Sequence, residues 1–212
     1  MTQLIVVYIC TYIMVSIVAH RDEIAVRGAI IVFLILTSFL PPLKVDVFDH
    51  SFFNVTTIFI SAFISCLSIL AIDYGIKYIM KVVLVDLQWL IYIQVIIFFL
   101  SKIPQSSLNN DDFKLLLTLL NANTIRSFFA TYVSSVISAG VIIMVLDFIP
   151  SASRFTKYVA TISYASVFGG ASFYILAYNT DPTIFQVMTL SIVAKILLSI
   201  AYFPALRHLR RL

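Results

Sequence analysis

Charge is scarce in this sequence: Asp, Glu, Lys and Arg make up 11% of its 212 residues, where a soluble domain carries about a quarter. That scarcity excludes a soluble enzyme, a disordered tail and a nucleic-acid binder. Cysteine is limited to Cys10 and Cys66, both inside apolar runs, where they are expected to be small core residues and not a disulfide pair. The three histidines, His20, His50 and His208, lie in separate loops or tails, so no metal constellation is expected. No nucleophile elbow, phosphate loop or zinc motif is present, and Asn54-Val55-Thr56 is a weak glycosylation pattern. Neither an enzyme nor a resident cofactor is expected.

Apolar residues fill the space: 61% of the chain is hydrophobic and mean hydropathy is +1.05. Because a membrane span needs about 20 apolar residues, with about 17 to 25 as the range, the chain divides into seven candidate spans: 3–19, 24–40, 55–76, 80–101, 126–148, 158–178 and 184–206. Only His20, Arg21, Asp22 and Glu23 separate the first two, which predicts a tight hairpin. A signal peptide is the rival for the first span, but no basic segment precedes it and no small-residue cleavage site follows. The expected fold is therefore an all-α polytopic membrane bundle of six to seven helices. One membrane domain spans 1–212, with an extra N-terminal helix 3–19 ahead of a six-helix bundle 24–206.

The basic residues set the orientation, since Lys and Arg are retained on the cytoplasmic side. With seven spans and a cytoplasmic C-terminus, the inner loops and tail collect nine of them: Arg21, Arg27, Lys77, Lys81, Arg154, Lys157, Arg207, Arg210 and Arg211. The outer side collects three, Lys44, Lys102 and Lys114. This bias explains the net charge of +4 without an anionic partner and places the N-terminus outside. The longest connection, 102–125, carries Asp112 as a helix cap before Phe113, Leu116, Leu117 and Leu120, the pattern of a short surface helix.

Polar side chains inside the spans are candidate sites, because each costs several kcal/mol in lipid unless it finds a partner. Asp73 and Lys77 are four apart and can pair on one helix face. Asp86 lies deeper, followed by Gln88, Trp89, Tyr92 and Gln94; Trp89 beside an acid and amides suits a stacked heteroaromatic ligand, though interface or core aromatics have the same pattern. Arg126 opens the fifth span, where it can snorkel or hold a carboxylate or carbonyl-rich group. Ser127, Thr131, Tyr132, Ser134, Ser135 and Ser138 follow it; like Gly169, Gly170 and Ser172, they mark close helix packing more readily than a ligand wall. Lys195 is the most telling, near the middle of the last span with Ser191 and Ser199 four residues to either side. It must find an acid, carbonyls or a polar cavity, or lose its proton, and Asp86 or Asp73 is the expected partner.

The run Thr124-Ile-Arg126-Ser-Phe-Phe-Ala-Thr-Tyr-Val-Ser-Ser135 resembles a helix opening in the queuosine-precursor and vitamin-uptake transporter family. The segment from Ala160 to Ile175 looks like that family's next helix, and Ala194-Lys195-Ile-Leu-Leu-Ser-Ile-Ala-Tyr-Phe-Pro204 is similar to its last. Asp73 and Lys77 correspond to an acidic-then-basic pair at the end of an early helix. The resemblance covers residues 24–211, most closely from Thr124 onward.

It implies a compact six-helix bundle related to the substrate-binding subunits of vitamin importers, with a pocket opening outward. By position it points to Arg126 and Lys195, then Asp73, as ligand-binding residues. The family's amides and acids are replaced here by Ser135, Ser138, Ala139, Gly169 and Gly170. That leaves little to hold a deazapurine, because a polar ligand needs matched donors and acceptors.

Two functions follow as expectations. The first is binding and transport of a small organic molecule, vitamin-like or queuosine-precursor-like, in a bacterial inner membrane. Arg126, Lys195, Asp73 and Asp86 would supply the polar contacts, and Trp89, Tyr132 and Tyr164 the aromatic surface; the energy would come from a gradient or an energising partner protein. The alternative is a membrane sensor in which the same pocket signals to a cytoplasmic partner; vitamin-uptake-like domains are also found joined to signalling modules, and Leu206–Leu212 suits such a junction. Seven spans with a lysine in the last also resemble retinal-binding rhodopsins, with Asp86 as counter-ion, but one Trp poorly supports a Trp-rich retinal pocket.

Overall fold

The computed structural model describes residues 2–39, 44–48, 51–54, 56–101, 122–178, 184–207 and 209. Each expected apolar run falls on a helix: α1 (Thr2–Ala19), α2 (Glu23–Phe39), α3 (Thr56–Tyr74), α4 (Ile76–Ser101), α5 (Ala122–Phe148), α6 (Arg154–Tyr178) and α7 (Ile184–Leu206). The expected surface helix around Asp112 lies outside the described residues. The architecture is helical as expected, with a short two-stranded hairpin added in the connection between α2 and α3. Strands β1 (Lys44–Phe48) and β2 (Ser51–Asn54) pair antiparallel, Val45 opposite Phe53 and Asp46 opposite Phe52. Val45, Val47, Phe48, Phe52 and Phe53 favour a pleated surface, and β2 lies against α7.

Local chemistry sets the helix boundaries. The α1–α2 hairpin turns at His20 and Arg21, and Asp22 caps α2 by accepting the Ala25 N–H on Oδ1 at 2.7 Å, a bond type worth about 1 kcal/mol. Ser153 caps α6, accepting the Thr156 N–H at 3.1 Å. Gly75 separates α3 from α4 with φ of +87°, a left-handed conformation that glycine adopts without Cβ strain. The break corrects the expected pairing of Asp73 with Lys77, which sit on different helices and no longer share a face.

The side chains are distributed inside out relative to a soluble protein. Ile5, Ile9, Ile13 and Ile17 form an exposed apolar row along α1, and Leu84, Phe129, Phe168, Phe185 and Leu197 are exposed on other helices. Thr57, Ser61, Ser65, Ser68, Thr131, Ser135, Ser138, Thr161, Ser166, Ser191, Lys195 and Ser199 are buried. Water would reject that arrangement, whereas a bilayer accepts the outward apolar rows and small polar residues let helices approach closely. Among the described residues, four helical segments are long and apolar enough to cross a membrane: Thr56–Tyr74, Phe128–Phe148, Arg154–Ala177 and Phe185–Leu206. Helix α3 is central, buried at every residue from Ser61 to Ala71, and one core cluster draws residues from all the described helices.

Helices α5 and α6 approach most closely where glycine permits it. A Cβ built on Gly169 would collide with Ser138 Oγ and lie 3.1 Å from the Ser134 carbonyl oxygen. Gly169→Ala is therefore expected to destabilise the protein by about 1–3 kcal/mol, and Ser138→Ala in the same chain should recover part of the loss. Thermal unfolding of the single and double variants in detergent checks this; equal melting temperatures for Gly169→Ala and wild type would refute it.

Candidate functional site

The two ends of the bundle carry different chemistry. At one end, the Arg154 guanidinium pairs with the Asp73 carboxylate, and its Nη1 donates to the Arg207 carbonyl at 3.1 Å. This joins the end of α3, the start of α6 and the end of α7. The Asp73 side chain is fully buried, and Arg154 is 34% exposed. Glu23, Arg27 and Tyr78 gather at the starts of α2 and α4. At the opposite end, exposed Arg126 donates from Nε to the Leu176 carbonyl at 2.8 Å. It thereby holds the last turn of α6, where a cation also opposes the helix dipole.

Between the ends runs a buried polar seam along α3, α6 and α7. Tyr174 donates its hydroxyl to Ser191 Oγ at 2.6 Å, and Thr57 donates to the same oxygen at 3.4 Å. One turn further along α7, Lys195 is 1% exposed, its Nζ 5.5 Å from the centroid of the Tyr174 ring. A turn beyond that, Ser199 donates to the Ser61 carbonyl at 3.2 Å, and its own carbonyl accepts the Tyr158 hydroxyl at 2.6 Å. The four-residue spacing of Ser191, Lys195 and Ser199 stacks them on one face of α7, turned inward.

Lys195 opens onto a cleft among α2, α3, α5 and α6. Thr131, Ser134, Ser135 and Ser138 supply one wall, Gly169, Gly170 and Phe173 a second, and Leu34, Thr37, Ile60, Phe63 and Ile64 the rest. In this closed arrangement it has room for about one water molecule. Gly170 keeps the lysine head accessible, since a Cβ there would lie 3.3 Å from Nζ and 3.0 Å from Ile192 Cγ1. Among the described residues, no carboxylate lies within ion-pair distance of Lys195.

Of the expected site residues, Lys195 lines this cleft. Asp73 is not its partner: sixteen residues of α6 separate Arg154, which Asp73 engages, from Gly170 beside the lysine, about 24 Å of helix. Asp86 lies on α4, which packs against α2, α3 and α5, but its side chain is outside the described residues. Trp89 and Tyr92 are 54% and 61% exposed and meet edge to face on the outer side of α4. Tyr164 is 54% exposed, and Tyr132 is half-buried against the core. Arg126 lies more than one turn before Thr131 along α5, at the helix end.

Sequence reasoning missed Gly170 and Tyr174 as neighbours of the lysine and Arg154 as the partner of Asp73. It also assigned the α5 hydroxyls to packing. Their spacing, 131, 134, 135 and 138, is one helix face, the signal that could have found the wall.

The inward polar seam and outward apolar rows define a membrane-embedded helical protein with a lysine-bearing interior cleft. No protein-family model, curated protein or solved structure matches the chain, so the resemblance to vitamin-uptake transporters rests on the quoted residues alone.

Proposed function

We propose that this protein binds and transports a small organic molecule, using the cleft beside Lys195. One observation carries the proposal: a lysine buried at mid-helix faces hydroxyl groups and space, with no acidic neighbour among the described residues. An ionisable group at that depth is retained for function by default, because a structural role there is better filled by an apolar side chain. A ligand of vitamin size needs a few hundred Å³, so binding requires α5 and α6 to move relative to α2 and α3. Arg126, at the outer end of α5, contacts the ligand as it enters. The bundle has six to seven spans in a bacterial inner membrane, with the Arg154 end facing the cytoplasm, in keeping with the cluster of basic residues there.

Mass spectrometry of small molecules co-purifying with the detergent-solubilised protein tests this. Wild type is expected to carry a compound that Lys195→Met lacks, and identical profiles for the two would refute the proposal. A sensor function is the alternative, and the link from Arg154 to the Arg207 carbonyl favours it. Helix α7 carries the lysine and ends at that cytoplasmic cluster, so a shift at the cleft reaches the surface where a partner protein would bind.

A further inference from the structure

We infer that the cleft recognises the carboxylate head of a small apolar acid, which forms an ion pair with Lys195. This rests on the transport function proposed above and names its ligand class. Three observations converge. First, Lys195 is 1% exposed, and among the described residues it makes no hydrogen bond or ion pair, its Nζ lying 5.5 Å from the centroid of the Tyr174 ring. A cationic ligand would meet a like charge there, and a neutral one would leave the ammonium without a counter-charge. Second, Nζ sits against the bare face of Gly170, where a Cβ would lie 3.3 Å away, so a planar carboxylate can reach it over the glycine. Third, the walls divide by chemistry. Buried Ser135 stands on the polar side, while Leu34, Ile60 and Phe63 offer an apolar surface to the body of the acid. Ser134 and Ser138 already donate their hydroxyl protons to the carbonyls of Thr131 at 3.1 Å and Ala165 at 3.4 Å. Among the residues lining the cleft, Lys195 is the one that carries a charge, which makes an anion the complementary group.

The test uses the full chain, purified in detergent and freed of bound small molecules, at constant ionic strength. Its melting temperature is measured with sodium formate, acetate or benzoate, against benzamide, benzylammonium and sodium chloride. Benzoate is expected to raise the melting temperature by several degrees, because a ligand that binds only the folded state stabilises it. Benzamide and benzylammonium should not. Lys195→Met should abolish the shift. Gly170→Ala, whose added methyl group crowds Nζ, should weaken benzoate binding about tenfold while retaining the fold; it carries the test if the lysine variant does not fold.

A Lys195-dependent shift with benzamide or benzylammonium would overturn the anionic ligand and leave transport standing. A chloride shift equal to that of benzoate would replace the organic acid with a halide. The absence of a shift with every carboxylate would overturn the inference, as would a similar drop in the ligand-free melting temperature for both Asp86→Asn and Lys195→Met, since Asp86 would then be the internal counter-charge. Transport itself fails on the separate co-purification result.

Discussion

Arg154→Met should be the most damaging single change at the Asp73 end of the bundle, lowering stability by about 3 kcal/mol. The Asp73 side chain is fully buried while Arg154 is 34% exposed, so losing the arginine leaves a carboxylate that cannot reach water. The reverse change is milder. Asp73→Asn leaves a guanidinium that can turn toward headgroups or solvent, and a loss of about 1–2 kcal/mol is expected. Unfolding of both single variants and the double variant in detergent checks the asymmetry. The double variant should lose less than the two single losses combined, because the groups act as a pair; additive losses would show that they do not. Arg154 also holds the Arg207 carbonyl, so the arginine variant should expose the end of α7 to proteolysis before the rest of the chain.

Lys195→Met should act in the opposite direction and raise the melting temperature of the ligand-free protein. Methionine is close to lysine in length and has no charge to desolvate. Replacing buried charged groups with apolar ones of similar volume can stabilise a protein by about 1–4 kcal/mol. The expected pairing of results is higher stability together with loss of the bound compound, as for a residue kept for function at the expense of the fold. A lower melting temperature in the ligand-free variant would mean that the ammonium already has an internal partner. Thermal unfolding after exhaustive dialysis against detergent buffer distinguishes the two outcomes.

Helix positions were legible because lipid imposes a coarse rule: long apolar runs separated by charged turns. The run 184–206 is α7 to the residue, and the hairpin at His20–Glu23 falls where its charges predicted. Partners were not legible. Asp73 and Lys77 have helical spacing, but Gly75 lies between them, and its positive φ turns the chain. Spacing also cannot tell which side of a helix faces lipid. Trp89 and Tyr164 are exposed on the outer surface, while the serines of α5, indistinguishable in sequence from packing residues, line the cleft. Lys195 was legible because its cost in lipid is large enough to require an explanation wherever it falls.

Many hydroxyls inside the bundle are satisfied within their own helices. Thr11 donates to the Val7 carbonyl, Thr37 to Phe33, Ser65 to Ser61 and Thr161 to Lys157. Each of these bonds travels with its helix, so two such surfaces can slide past one another without stranding a polar atom in oil. Among the described residues, rearrangement is then opposed by dispersion contacts and by a few cross-links, at Ser191, Ser199, Arg154, Ser138 and Arg126. Such an interior can exchange one packing for another, as alternating exposure of a buried site requires.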